Sequence, residues 1–325
     1  MDKRSGDHSL CARGRRWQGK GREPVESVES TLERLVERIP GYSQAARSVA
    51  RGLHQAILAG GKPARRLADL LHGTWMGHPL HPVLTDVTLG AWLYASLMDM
   101  VALVTRSKTA EQAGDTLAAI GVVSALPTAL AGTTDYSGIK RGAAPMAVLH
   151  ALLNVEALLY YSASLLARRN GSRVRATIFS QMGMGTVLLS SYLGGTLVYK
   201  HRVGVNHAPK PSGPHEWTPV MGETELHESQ PRRVEHEGDP VLLYRYGGTV
   251  YAIGAVCSHA GGPLEEGTFD GYCVQCPWHD SVFDLRDGGL VHGPSTFSQP
   301  VYRARIMNGQ IEIRLAEDGS GAQGG

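Results

Sequence analysis

Cysteine is scarce in this 325-residue chain, four in all. Three of the four lie in or beside two short loops near the C-terminal end, at Cys257, Cys273 and Cys276. That pattern excludes a disulfide framework and agrees with a reducing compartment. Phenylalanine is as rare, again four, and aromatic residues make up only 6% of the chain. Net charge is nearly absent at +2, so no nucleic-acid partner is expected. No glycine-rich loop with phosphate-binding spacing is found, which leaves out a nucleotide cofactor. Export signals are lacking as well. Arg15-Arg16 is followed by no apolar stretch, and Cys11 lacks the apolar run of a lipoprotein signal.

Long apolar runs are what the chain does have. Its mean hydropathy of -0.16 is that of an ordinary soluble protein, but polar ends dilute an apolar centre. Residues 83–104, 114–133, 146–167 and 178–199 each have the length of about 20 mainly apolar residues needed to cross a bilayer as a helix. The competing reading is a buried soluble helical bundle, against which four all-round apolar segments with short polar loops argue. Pro127, Gly183, Gly185, Gly194 and Gly195 suit close helix packing in lipid. An even number of spans puts both ends of the chain on one side, expected to be the cytoplasmic face of the inner (plasma) membrane. Basic residues near the membrane hardly help, with eight on that side and six on the other. Residues 1–24 read as a disordered basic arm. Residues 25–69 read as an amphipathic helical segment, with helices expected over 25–39 and 43–58.

Cys257-Ser-His259 and Cys276-Pro-Trp-His279 carry the chemistry. One thiolate and one imidazole come from each loop, the donor mix of a Rieske-type [2Fe-2S] cluster, in which two cysteines hold one iron and two histidines the other. Zinc is the alternative, but structural zinc sites typically pair Cys with Cys and His with His. Around the loops the pattern is β. Two strand pairs flank Gly247-Gly248 and Asn308-Gly309, both hairpin signals.

Residues 217–316 resemble a Rieske domain of the ferredoxin type, and residues 317–325 read as a disordered tail. The resemblance rests on both ligand loops, on Cys276-Pro-Trp-His-Asp-Ser-Val-Phe-Asp-Leu-Arg-Asp-Gly-Gly and on Gly293-Pro294. It implies that Cys257 and Cys276 bind the inner iron, that His259 and His279 bind the outer one, and that Pro294 lies in a loop covering the cluster. Rieske subunits of quinol-oxidising complexes carry an extra disulfide-bonded cysteine in each loop. Those positions here are Gly262 and Trp278. Ser281 matches a hydroxyl of high-potential members, whereas their tyrosine is Phe283 here, and Asp280 replaces a glycine. Fewer donors to the cluster imply a potential toward the lower end of the range of roughly -150 to +300 mV. A ring-hydroxylating oxygenase is set aside, because its mononuclear iron domain would have to follow and only about ten residues do.

Residues 70–207 resemble a family of four-helix bacterial membrane domains without characterised function, often fused to Rieske domains. The motifs are Gly77-His-Pro-Leu-His-Pro-Val-Leu-Thr-Asp86 and Gly194-Gly-Thr-Leu-Val-Tyr-Lys-His-Arg-Val-Gly-Val205. A histidine is frequent in that family where this chain has Thr196. Polar groups in such segments default to function. The candidate membrane site is His78, His81, Asp86, His150, Asn154 and His201, for a quinone or a bis-histidine haem b, although no histidine pair is expected to sit centrally on facing helices. The alternative is interfacial histidines that cap helices. The expected architecture is therefore α + β multidomain, a four-helix transmembrane bundle, a linker at 208–216 and a small antiparallel all-β domain. The expected function is a membrane-anchored carrier of single electrons between a membrane or reductase donor and an oxidoreductase partner, rather than a stand-alone catalyst. A quinol/quinone oxidoreductase, a redox sensor and a homo-oligomer remain open.

Overall fold

The computed structural model describes residues 28–140 and 142–316. The basic arm, Cys11, Arg15-Arg16 and the tail at 317–325 lie outside the described residues. Among the described residues seven α-helices come first: α1 (Val28–Glu37), α2 (Tyr42–Ala59), α3 (Gly61–His72), α4 (Leu80–Thr105), α5 (Lys108–Ser137), α6 (Ala144–Arg169) and α7 (Arg173–Tyr199). Expectation and structure differ at α3, which continues from α2 after a break at Gly60 and Gly61, where Gly61 has φ 62°. Glycine takes that left-handed backbone without the usual side-chain clash.

The long helices are built inside out relative to a water-soluble protein. Their outward faces carry Val87, Leu97, Val123, Leu130 and Leu159, all exposed, while Thr88, Ser96, Thr128, Ser164 and Ser190 are buried. Lipid makes the outward apolar face harmless and leaves packing of small and hydrogen-bonding residues to hold the helices together. Trp92 on α4 and Tyr161 on α6 stack at 4.6 Å, and glycines give them room. A Cβ on Gly121 of α5 would lie 2.4 Å from Trp92 Nε1, and one on Gly183 of α7 would lie 2.8 Å from the Tyr161 ring. At the end of the helices away from the β domain, buried Arg168 donates to both oxygens of Asp99 (2.8 and 2.5 Å) and to Asp115 (2.6 Å). Such depth is tolerable for an ion because its partner is equally buried.

Three helices, α4, α5 and α6, are long and apolar enough to cross a membrane among the described residues. The expected fourth span folds as a helix of 27 residues but is not one of the three. Gln181, the serines and the glycines dilute its apolar character.

The β domain has two antiparallel sheets. One runs in the order β1 (Thr218–Gly222), β10 (Gln310–Leu315), β9 (Val301–Met307), β4 (Thr249–Gly254), β3 (Asp239–Tyr246) and β2 (Arg232–His236). The other is β5 (Thr268–Asp270), β6 (Cys273–Gln275), β7 (Val282–Asp284) and β8 (Leu290–His292). Hairpins form at Gly247-Gly248 and Asn308-Gly309, with all four turn residues at positive φ, as tight two-residue turns require. Leu242, Ile253, Val274 and Phe283 fill a core that also takes in Cys257 and Cys276.

Candidate metal centre

The two ligand loops are closed by the same backbone pattern. Cys257 N–H donates to Gly262 O and Gly261 N–H returns to Cys257 O, both at 2.8 Å; Cys276 N–H donates to Ser281 O at 2.8 Å and Asp280 N–H returns to Cys276 O at 3.1 Å. The residue four places after each cysteine is left-handed, Gly261 at φ 83° and Asp280 at φ 61°. Asp280 thus fills a turn position where glycine is the default, and aspartate is among the few other residues that tolerate it.

This geometry brings four donors together. Cys257 and Cys276 are buried, and the Cys257 thiol is in hydrogen-bond contact with the Cys276 sulfur. That contact, followed by burial, pushes Cys257 up. The same contact, helped by backbone N–H groups of Trp278 and His279 and opposed by burial, brings Cys276 down to about 7. The His259 and His279 rings lie 4.9 Å apart at 82°. Burial pushes His259 well below the usual imidazole range and His279 to about 4. Both rings are therefore neutral at physiological pH, the form that binds metal. His259 Nδ1 and His279 Nδ1 are buried without a hydrogen-bond partner among the described residues. Buried polar atoms rarely stay unpaired, so two orphaned imidazole nitrogens beside two thiols fit a metal group. Cys257 and Cys276 would hold it through sulfur, and His259 and His279 through Nδ1. A [2Fe-2S] cluster so bound supplies one-electron chemistry.

A third loop, after β8, locks the first two. Ser258 Oγ and Ser295 Oγ are 2.7 Å apart, and Ser295 N–H donates to Ser281 Oγ at 3.0 Å. All three serines are buried. Pro294 lies in this loop. Phe283 is fully buried on β7 and offers no hydroxyl. A Cβ on Gly262 would sit 2.8 Å from Cys276 Sγ and 3.1 Å from the Trp278 ring, so this position has no room for a residue larger than glycine.

The histidine edge is packed against the helical region. A Cβ on Gly138, at the end of α5, would lie 3.1 Å from His259 Cε1 and 3.0 Å from Pro294 Cγ. From α3, Asp69 accepts from His292 Nδ1 (2.7 Å) and Gly293 N–H (2.8 Å). From α2, His54 Nε2 donates to Asp280 Oδ2 at 2.7 Å, while Gln275 Nε2 donates to Oδ1. The His54 bond chiefly holds Asp280 below the usual carboxylate range. Between α2 and the second ligand loop lies a cleft of about 490 Å³, lined by Arg47, Arg51, His54, Ile139, Trp278 and His279. Sequence reasoning missed Asp69, His54 and His72, whose Nδ1 donates to Asp135 of α5 at 2.8 Å. The only signal was Asp69 and His72 three apart, on one face of a helix.

The candidate membrane residues separate. His78 and Asp86 are exposed, and His201 Nε2 lies 3.6 Å from Glu33 of α1. His81, His150 and Asn154 come together in the helical interior. The two rings are 6.4 Å apart and perpendicular, so a facing pair exists where none was expected. The spacing of the two positions on separate helices, α4 and α6, hides it from the sequence.

Comparisons agree with both halves. Residues 216–303 match the Rieske [2Fe-2S] domain family, and residues 77–207 match a predicted membrane protein family, DUF2231. Over 100 residues the chain is 33% identical to the anthranilate 1,2-dioxygenase ferredoxin subunit of Burkholderia cepacia, covering 31% of this chain and 93% of that protein. It is 30% identical over 98 residues to ferredoxin CarAc of Metapseudomonas resinovorans, covering 30% and 92%. Among solved structures, the ferredoxin of carbazole 1,9a-dioxygenase from Nocardioides aromaticivorans IC177 is 28% identical, covering 31% of this chain and 98% of that one, with a TM-score of 0.30. The chain belongs to the Rieske [2Fe-2S] family, its β domain following a DUF2231 membrane segment.

Proposed function

We propose that this protein is a membrane-anchored Rieske electron carrier, passing single electrons between a membrane or reductase donor and an oxidoreductase partner. The observation that carries this reading is the paired orphan nitrogens of His259 and His279 beside two buried thiols. Similarity to the ferredoxin subunit of anthranilate 1,2-dioxygenase supports a protein acceptor of the oxygenase kind. The anchor is a four-helix transmembrane bundle of α4 to α7. Support comes from the contacts of α2 and α3 with the β domain, since segments on either side of an odd number of spans could not touch. Both are assigned to the cytoplasmic side of the inner membrane, where a tag on the C-terminus should stay protected in right-side-out vesicles.

A second reading, a quinol/quinone oxidoreductase, is favoured by the cleft that reaches His279 beside the helix ends. One experiment separates the two. Purified full-length protein in nanodiscs is offered electrons from a ferredoxin reductase or from a quinol, with cytochrome c as acceptor. Transfer that needs the reductase and is lost in His279→Ala supports the carrier. Saturable transfer from quinol alone would replace it with the oxidoreductase.

A further inference from the structure

His81 on α4 and His150 on α6 meet inside the helical region, and neither has a part in the cluster. Each ring is oriented by a backbone carbonyl of a different neighbouring helix: His81 Nδ1 donates to Thr128 O of α5 at 2.9 Å, and His150 Nδ1 donates to Ser190 O of α7 at 2.9 Å. Fixing Nδ1–H on a carbonyl sets the tautomer and frees Nε2 as a ligand, the support that metal-binding histidines usually have. His81 Nε2 has no hydrogen-bond partner among the described residues, and His150 Nε2 accepts only from Asn154 Nδ2, at 3.1 Å. Glycines make room for both rings. A Cβ on Gly132 would lie 2.8 Å from His81 Cε1, and one on Gly194 would lie 3.3 Å from His150 Cε1.

The separation selects the ligand. Two metal–nitrogen bonds of about 2.0–2.1 Å, with about 1.1–1.2 Å from each nitrogen to its ring centre, place two axial imidazoles about 6.2–6.6 Å apart. Here the centres are 6.4 Å apart. A bare ion would need further protein donors, whereas the side chains bonded to this pair are the amide of Asn154 and the hydroxyl of Ser190. An iron porphyrin brings its own four nitrogens and asks the protein for two.

We propose that His81 and His150 are the axial ligands of a haem inside the helical region, a reading that rests on the membrane-anchored carrier above. Asn154 would give up its bond to His150 Nε2 when the iron binds. The site lies close to the cluster. Gly132 touches His81 and Gly138 touches His259, and six helical residues span about 9 Å. One electron would pass between them, ferrous haem iron becoming ferric as one ferric iron of the cluster becomes ferrous, or the reverse, with no bond formed or broken. That route explains why the cluster's histidine edge is packed against the end of α5 rather than left open.

The full-length protein, expressed with added haem precursor and purified in detergent, tests this by absorption and EPR spectroscopy. The expected result is one low-spin haem per chain beside the cluster signal. His81→Met, which keeps bulk and a ligand, should shift the haem spectrum. His150→Phe should leave a high-spin haem or none, with the cluster signal intact. Cys257→Ser should remove the cluster signal and keep the haem. A chain that shows its cluster but takes up no haem, or keeps an unchanged low-spin spectrum in both histidine variants, would overturn the haem site and leave the carrier reading standing. Loss of the cluster signal from the wild-type chain would strike the carrier reading instead.

Discussion

Replacing Gly138 should lift the β domain off the helices. Gly138 has φ -99° and ψ 13°, a backbone open to ordinary residues, so substitution there tests space alone. A Cβ would meet Pro294 Cγ at 3.0 Å, His259 Cε1 at 3.1 Å and His259 Nε2 at 3.2 Å. Alanine asks those atoms to yield by a few tenths of an ångström; leucine puts three more carbons into the same gap. Overpacking of this kind costs about 1–3 kcal/mol. The least costly relief is separation of the two parts, because the polar contacts across the junction are few: Asp69 with His292 and Gly293, His54 with Asp280, and His207 N–H with Ser258 O. A change of about 1–3 kcal/mol moves the docked-to-free ratio roughly 5- to 150-fold. The assay is the stopped-flow rate at which ferricyanide, a hydrophilic oxidant, reoxidises the reduced cluster in purified full-length protein. Gly138→Leu should react at least about 5-fold faster by that ratio, and Gly138→Ala should stay near wild type. Gly142→Leu, where a Cβ meets nothing within 4 Å, is the control. A Gly138→Leu protein with an intact cluster and a wild-type rate would refute the covered edge.

Other outcomes follow from single side chains. Phe283→Tyr puts a hydroxyl into the core shared with Cys257 and Cys276; if it stabilises the reduced cluster by about 1.4 kcal/mol, the midpoint potential rises by about 59 mV in a redox titration. Burial, then the Asp284 charge, pushes the Cys273 thiol up. Its thiolate is therefore scarcer at neutral pH than in a free cysteine, and iodoacetamide labelling should be slow at pH 7 and accelerate only above the ordinary thiol pKa. Arg168→Ala strands the buried Asp99 carboxylate, and breaking such a pair costs about 3–5 kcal/mol. Thermal unfolding in detergent should show a large drop for Arg168→Ala and a small one for Arg173→Ala, whose side chain is 40% exposed.

What could be read from the sequence was what local rules govern. The ligand loops are fixed by short spacing, and both hairpins by paired turn residues at positive φ. Apolar runs marked the long helices, but the fourth run is weaker than its length suggests because glycine and serine serve packing rather than partition into lipid. The junction was invisible for a different reason. Asp69 and His292 are 223 positions apart, His54 and Asp280 are 226 apart, and no periodicity links such pairs. That His81 and His150 face each other is hidden for the same cause: both stand out in the sequence as candidates, yet only helix packing sets which rings turn toward each other.

The central claim is the cluster, and its most direct test is iron, sulfide and zinc analysis of anaerobically purified full-length protein, joined to an oxidised-minus-reduced absorption spectrum. The account predicts two irons and two sulfides per chain with a broad bleach on reduction, all lost when Cys257, His259, Cys276 or His279 is replaced. One zinc per chain and no redox-active band would contradict it.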